Sequence, residues 1–272
     1  MAKGISLHIG LNSVDPAHYD GWDGMLAACE FDAKDMVKLA TKHGFEERTL
    51  LLTKEATTEE VIQAMQSAAK KLTKGDIFLL TYSGHGGQVP DSNFDEDDRK
   101  DETWVLFNRQ LVDDELHGLY AGFKAGVRIM VLSDSCHSGT VTRAIPPWEM
   151  SDSTPRQAVR MMPQSVGKAT YKKNKAMYDK IQKDHKDAES IVPKATILLI
   201  SGCQDNQLSQ DGEKNGLFTG TLKNVWRNGK FAYGYRRFCD TIVSKMPADQ
   251  SPNYYVIGAP NAAFESQKPF TV

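Results

Sequence analysis

Residues 129–139 read IMVLSDSCHSG. A run of apolar residues ends at Cys136, with His137 beside the cysteine and Gly139 shortly after it. Short apolar runs bounded by turn residues are typical of strands buried on both faces of a parallel sheet. We therefore expect Cys136 at the carboxyl end of a buried strand. There it is either a packed thiol or a nucleophile, and the rest of the chain must decide.

Further apolar runs on both sides of this stretch alternate with segments of helical spacing. A capping box of Thr57 and Glu60 predicts the start of one helix, and Gly44 marks the end of another. This alternation predicts an α/β fold with a mostly parallel sheet covered by helices on both faces. The expected strands are 4–12, 48–53, 76–83, 103–107, 127–136, 195–203 and 253–258, and the expected helices are 25–45, 57–72, 113–124, 216–228 and 234–246.

The composition bounds the class of protein. The chain has 272 residues, of which 40% are hydrophobic, so it can bury one sizeable core or two modest ones. A formal net charge of -2 points to neither nucleic acid nor an anionic membrane as a partner. The four cysteines are far apart and form no C-x-x-C pair, and no apolar run has the length of a signal peptide or a membrane span. We expect a cytoplasmic location with free thiols.

A second histidine stands at a strand end. His85 lies between Gly84 and Gly86, directly after the apolar run 76–83. In parallel sheets functional groups gather just beyond the carboxyl ends of the strands, so His85 and Cys136 are predicted to meet there. His137 is a rival partner for the thiol, but adjacent residues usually point in different directions. The sequence around Ser138 is not a G-x-S-x-G elbow, which argues against a serine hydrolase.

The segments TYSGHGGQ (81–88) and DSCHSG (134–139) together resemble the caspase-like clan of cysteine peptidases, and within it the metacaspases and bacterial orthocaspases. The resemblance runs from residue 4 to 142 and resumes at 200–211. It implies a caspase-like three-layer α/β sandwich with about six mostly parallel strands. It also implies a single peptidase domain over 1–272, with a p20-like part at 1–142, a basic linker at 143–194 and a p10-like part at 195–272.

The same resemblance implies the chemistry. His85 and Cys136 would form the catalytic dyad, and the backbone N–H groups of Cys136 and Gly86 would bind the oxyanion. A thiolate would attack a peptide carbonyl, form an acyl-enzyme and release it to water. No cofactor is required for these steps. An adaptor or decoy without activity, and a peptide ligase that passes the acyl group to an amine, remain alternatives.

The resemblance also implies an acidic S1 pocket that selects Arg or Lys at P1. Asp134 lies two residues before Cys136, so on an extended strand both side chains share a face. Taken alone, this aspartate could equally cap a loop, and Asp32 could be a solvated residue on a helix. Buried carboxylates bind a guanidinium strongly, which favours cleavage after Arg or Lys over cleavage after Asp. The residues implied for S1 are Cys29, Asp32, Ser83 and Asp134.

The acidic loop 91–102 invites a calcium interpretation. It resembles an EF-hand loop, but glutamate stands where the sharp turn needs glycine and the flanking helices are missing. The family comparison implies a different calcium site, made of Asp101, Asp113 and Asp114. The family's fourth carboxylate falls on Arg143, so calcium as an activator is an expectation with one ligand replaced by a cation.

The segment 143–194 is rich in Lys and Arg and has no clear periodicity, apart from one expected helix near 170–187. If the enzyme cuts after Arg or Lys, the segment contains sites for self-processing. An uncut insertion that covers the active site and a surface that binds an acidic protein partner are alternatives. The self-cleavage candidates are Arg143, Arg156 and Arg160.

The stretch SGCQDNQLSQD (201–211) follows the last apolar strand of the core. Asp205 and Gln207 are expected to face the substrate cleft, and Cys203 is expected to be packed. The expected partners are protein or peptide substrates with Arg or Lys at P1 and a regulatory protein, and we expect a monomer.

Overall fold

The computed structural model describes residues 2–91, 100–136, 159–188, 190–204, 207 and 209–272. Within these ranges the strands are β1 Gly4–Gly10, β2 Glu47–Leu52, β3 Ile77–Ser83, β4 Gly86–Pro90, β5 Lys100–Val105, β6 Gln110–Val112, β7 Arg128–Asp134, β8 Thr196–Ser201 and β9 Asn253–Gly258. The helices are α1 Cys29–Lys42, α2 Thr58–Lys71, α3 Asp113–Ala121, α4 Gln164–Lys173, α5 Lys175–His185, α6 Leu217–Trp226, α7 Tyr235–Val243 and α8 Ala262–Ser266.

A six-stranded sheet in the order β2-β1-β3-β7-β8-β9 forms the centre of the molecule. Its first five strands pair in parallel, and β9 joins β8 in the antiparallel direction. The mostly parallel sheet predicted from the sequence is therefore confirmed. All seven residues of β1 and of β3 are buried, as expected for central strands covered on both faces.

Alternation along the strands divides the apolar residues between two cores. In β3, Phe78 packs into the core beneath α2, whereas its neighbour Leu79 packs into the core on the opposite face. The second core receives Met36 from α1, Phe218 from α6 and Phe238 from α7. Successive residues of a strand point to opposite faces, so a continuous apolar run supplies both layers.

A smaller antiparallel sheet of β4, β5 and β6 extends from the carboxyl end of β3. The strand predicted at 103–107 corresponds to the middle strand of this sheet, β5, which begins three residues earlier. Neither neighbouring strand was predicted, because β4 begins with two glycines and β6 has only three residues. Helices α4 and α5 pack on this sheet, with Tyr178 buried against Val89 and Val112.

The two predicted helix-end signals, at Thr57 and Gly44, are confirmed. The side chain of Thr57 accepts a hydrogen bond from the Glu60 N–H, and Gly44 has a φ of +82° after α1. One helix was expected near 170–187, but two are present, and Asn174 separates them with a non-helical φ of −112°. No helix in the described ranges is both long and apolar enough to cross a bilayer.

Candidate active site

The register of the central sheet brings the predicted histidine and cysteine to one edge. Strands β3 and β7 are parallel neighbours, and Ser83 at the end of β3 lies opposite Asp134 at the end of β7. His85 and Cys136 each follow their strand by two residues and are both buried. Hydrogen bonds to the His85 carbonyl from the Tyr82 hydroxyl (2.6 Å) and the Val105 N–H (3.0 Å) hold this loop in place.

The imidazole of His85 is oriented by a backbone carbonyl. Its Nε2 lies 3.0 Å from the carbonyl oxygen of Gly24, so Nε2 carries the proton and donates it. The Trp22 ring packs against the imidazole with centroids 4.7 Å apart. The other nitrogen, Nδ1, is buried and makes no hydrogen bond of good geometry to any described residue. It is therefore available to accept a proton.

Burial, together with the nearby charge of Arg160, lowers the pKa of His85 from 6.5 to about 4. The backbone of Gly24, the Asp211 charge and the backbone of Met161 oppose this shift without reversing it. The imidazole is consequently neutral at pH 7, which is the form that a general base requires.

The thiol of Cys136 lies against the backbone of Ser209. The Ser209 N–H donates to Sγ, and the Ser209 carbonyl oxygen lies 3.8 Å from Sγ. Ser209 follows β8, so the thiol at the end of one strand is covered by the loop after the next strand.

The backbone of Arg160 crosses this site between two isolated β-bridges, made by Val159 and Met161. Its carbonyl oxygen accepts hydrogen bonds from the backbone N–H groups of Cys136 and Gly86, each at 3.1 Å. These are the two donors predicted for an oxyanion. The Arg160 N–H donates to the Ser209 carbonyl at 3.0 Å, and two residues further on the Met162 N–H donates to the Gly86 carbonyl at 2.8 Å. The chain is thus held on both sides of the Arg160–Met161 peptide bond.

The side chain of Arg160 is completely buried among three carboxylates. Its Nη1 lies 2.8 Å from Asp134 Oδ2, and its Nη2 lies 2.7 Å from Asp32 Oδ2 and 2.9 Å from Asp211 Oδ1. Nη1 also donates to the Ser83 hydroxyl at 2.8 Å. Each terminal nitrogen of the fork therefore has an anionic partner, as bidentate recognition requires. These charges raise the pKa of Arg160 well above its usual value despite its burial.

Asp32 and Asp134 each accept hydrogen bonds from further donors. Asp32 Oδ1 accepts from the Asn215 amide at 2.8 Å and the Gly216 N–H at 3.2 Å. Asp134 accepts from the hydroxyls of Ser209 and Thr219, both at 2.7 Å. Burial raises the pKa of Asp32 to about 6; Arg160 opposes the rise and the neighbouring Asp134 charge adds to it. The pocket is therefore built to receive a cation.

Asp211 is a pocket residue that the sequence reasoning missed. It accepts hydrogen bonds from the N–H groups of Ala27 (2.6 Å) and Ala28 (3.3 Å) just before α1, and it binds Arg160 with the same carboxylate. A signal was present: Asp211 lies two residues after Ser209, so in an extended segment both face the same side. In this stretch the sequence had pointed to Asp205 and Gln207 instead.

Gly216 forms a wall of the pocket. A Cβ atom at this position would lie 2.5 Å from both Cζ and Nη2 of Arg160, which is closer than real Cβ atoms come to other atoms. Its φ of −57° is open to any residue, so the close approach of the guanidinium explains the glycine here.

The structure brings all four residues implied for S1 to one place. Cys29 is fully buried behind the pocket, where burial raises its pKa to about 12, and Ser83 donates to Asp32 at 2.8 Å. Cys203 is packed as expected. Gln207 bonds the Ala248 carbonyl at 3.0 Å. His137, Arg143, Arg156 and Asp205 lie outside the described residues.

The three aspartates of the expected calcium site lie in acidic surroundings. Burial and the charges of Glu102, Asp101 and Asp114 raise the pKa of Asp113 well above its usual value. Its carboxylate accepts from the Glu102 and Asp114 N–H groups, and Asp101 accepts from Gln182 at 2.5 Å. No three His, Cys, Asp or Glu residues within the described ranges form a group that could hold a metal ion. The described residues therefore do not form a ready-made calcium site, and calcium dependence stays a prediction.

The structure is similar to a solved caspase. The crystal structure of caspase-1 from Spodoptera frugiperda matches it with a TM-score of 0.55 and a sequence identity of 11%, and the match covers 94% of this chain and 86% of that one. The fold is therefore caspase-like. A protein from Geobacter sulfurreducens has a crystal structure with a TM-score of 0.90 and 54% identity, covering 99% of both chains.

The family follows from the sequence comparison. The model of the caspase domain, peptidase family C14, matches residues 14–260, and the chain belongs to this family. It is 29% identical over 251 residues to metacaspase-1 of Kluyveromyces lactis. That match covers 80% of this chain but spans only 56% of the relative's length. The resemblance to metacaspases seen in the sequence is confirmed.

Proposed function

We propose that the protein is a cysteine endopeptidase that cleaves after arginine, and that its own Arg160–Met161 bond is a substrate. One observation carries this proposal: the Arg160 carbonyl oxygen lies between the N–H groups of Cys136 and Gly86 while the guanidinium fills an acidic pocket. A peptide bound for hydrolysis needs both features at once, because the oxyanion donors stabilise the transition state and the pocket sets the register.

The proposed reaction uses groups of this chain. Nδ1 of His85 takes the thiol proton of Cys136, and Sγ attacks the carbonyl carbon of the arginine. The negative charge on the oxygen is stabilised by the two N–H groups. The C–N bond then breaks as the imidazolium gives its proton to the leaving nitrogen, here that of Met161. Water, deprotonated by the same imidazole, hydrolyses the thioester and frees Cys136.

The arrangement of the acids favours arginine over lysine at P1. Asp134 binds one terminal nitrogen of the guanidinium, whereas Asp32 and Asp211 bind the other. A lysine has a single nitrogen and cannot bridge both sides, so at least one buried carboxylate would lose its partner. We expect kcat/KM for an Arg reporter to exceed that for a matched Lys reporter by about tenfold or more. An Asp at P1 would place a fourth anion in the pocket and should not be cleaved.

The test combines mass spectrometry with reporter peptides. Purified protein should convert to fragments ending at Arg160 and beginning at Met161, and should cleave Arg reporters. Cys136→Ala should do neither, whereas Cys239→Ala, which removes a buried thiol in α7 far from the site, should do both. Turnover by the Cys136→Ala variant, or preference for an Asp reporter, would refute the proposal.

A further inference from the structure

We infer that cutting the Arg160–Met161 bond does not clear the active site, because residues 161–188 bind the primed side of the cleft by contacts of their own. This inference rests on the proposed function for its consequence, but not for its structural claim. The retained segment, residues 161–188, comprises Met161, Met162, α4 and α5 with the residues that follow it.

The first contacts lie where the leaving half of a substrate would sit. Met161 pairs with Gly86 in a parallel bridge, and the Met162 N–H donates to the Gly86 carbonyl at 2.8 Å. The Met162 side chain is buried against Gly87 and Gly167. A Cβ atom added to those glycines would lie 2.8 Å and 3.2 Å from Met162 Cε. While the segment stays there, these positions are closed to the primed residues of another substrate.

The second set of contacts anchors α5 independently of the pocket. Tyr178 is fully buried; its hydroxyl bonds His18 Nε2 at 2.9 Å and accepts from the Gln110 N–H at 3.2 Å. Gln182 is also fully buried and donates to the Pro90 carbonyl at 2.8 Å and to Asp101 at 2.5 Å. None of these bonds involves Arg160, so none is lost when the peptide bond is cut.

The covalent connection adds to this retention. Residues 186–195 join α5 to β8, a strand of the central sheet, so the segment remains tethered after the cut. A short tether holds its end at an effective concentration on the order of millimolar, which favours rebinding. Self-cleavage therefore leaves Met161 and α4 in place. Opening the primed side requires a second step, in which α4 and α5 leave the β4–β6 sheet.

Hydrogen exchange of the full chain tests the retention without any catalysis. In the Cys136→Ala protein we expect the amides of 164–185 to be protected from exchange. When Arg160 is also replaced by Ala, their protection factors should change by less than about tenfold. Arg160→Lys is the second variant, because it keeps a cation among the three acids. If these amides exchange like those of exposed loops while β7 and β8 stay protected, the segment is held only by Arg160 and the inference is wrong.

A substitution in α5 then tests which contact holds the segment. Gln182→Ala removes two buried hydrogen bonds and should raise exchange in 164–185 by about tenfold. Lys183→Ala is the matched control, since this neighbouring side chain is exposed. Equal exchange in the two variants would show that Gln182 does not anchor α5 and would overturn the assignment.

The consequence is tested on the processed protein with two Arg reporters. One has a small arylamide leaving group, and the other has four primed residues. We expect kcat/KM for the arylamide reporter to exceed that for the reporter with primed residues by about tenfold or more. Gln182→Ala should reduce this ratio, whereas Lys183→Ala should leave it unchanged. Equal rates in the unaltered protein would show an open primed side and contradict the inference. If neither reporter is cleaved by any variant, the proposed peptidase function fails, whereas the exchange result still decides whether the segment is retained.

Discussion

The carbonyl oxygen of Arg160 accepts a hydrogen bond from the backbone nitrogen of Cys136 at 3.1 Å. Arg160 belongs to the basic linker at 143–194, and Cys136 follows the central strand β7 by two residues. The contact places the Arg160 carbonyl beside the backbone of Cys136.

Asp211→Asn should weaken the discrimination between arginine and lysine. The carboxylate shares Nη2 of the guanidinium with Asp32, so its loss removes one arm of the charged pair. We expect kcat/KM for an Arg reporter to fall about tenfold or more, and for a Lys reporter to fall less. Asp240→Asn, on the exposed face of α7, is the control. An equal loss for both reporters would mean that Asp211 does not set this preference.

Gly216→Ala should exclude arginine from the pocket without disturbing the backbone. The new Cβ would meet the guanidinium carbon at 2.5 Å, and the backbone conformation is one that alanine adopts freely. We expect self-cleavage and Arg reporter turnover to fall about ten- to a hundredfold, as overpacking at a rigid contact predicts. Gly220→Ala, where the nearest atom to the new Cβ lies at 3.6 Å, should be active. Unchanged processing of the Gly216→Ala chain would contradict the pocket geometry.

The pH dependence of kcat should report on the proposed base His85, whereas that of KM should report on Asp32 in the pocket. Burial, together with the Arg160 charge, lowers the pKa of His85 to about 4, so kcat should fall only as the pH drops through about 4. Burial raises the pKa of Asp32 to about 6 even with the opposing Arg160 charge in the pocket, so in the empty pocket this carboxylate takes up a proton above that pH. KM for an Arg reporter should therefore rise as the pH falls toward about 6, while kcat is still constant. A kcat that falls near pH 6.5 would indicate an exposed imidazole instead.

Phe78→Ala should strongly destabilise the fold. Phe78 is fully buried in β3, and its ring packs on Phe123 with centroids 5.3 Å apart. We expect a loss of about 3–5 kcal/mol in the free energy of unfolding, measured by denaturant titration of the Cys136→Ala chain. Phe31, half-exposed on α1, provides the control, and Phe31→Ala should change stability by less than about 0.5 kcal/mol. Similar losses at the two sites would contradict the described core.

Parts of the site could be predicted because their signals are local. His85 and Cys136 each follow an apolar run, and parallel pairing of such runs brings their ends to one edge. The pocket acids Asp32 and Asp134 came from a family resemblance carried by short motifs around them. Most of the β4–β6 sheet was not predicted, because a strand that begins with two glycines and a strand of three residues show no periodic pattern. Asp211 was missed because its partners, Ala27, Ala28 and Arg160, are all remote in the chain.

The amino-acid sequence by itself determined the alternation of strands and helices, the two cores on either face of the sheet, and the strand ends that carry His85 and Cys136. These depend on periodicity and on turn residues, which act over a few positions. Only the tertiary structure decided which of several arginines fills the acidic pocket and which helix closes the primed side. Arg160 and Asp32 are 128 residues apart, and Gln182 and Asp101 are 81 apart. Contacts between such distant residues form only when the whole chain packs, since nothing in their local sequence favours one partner over another.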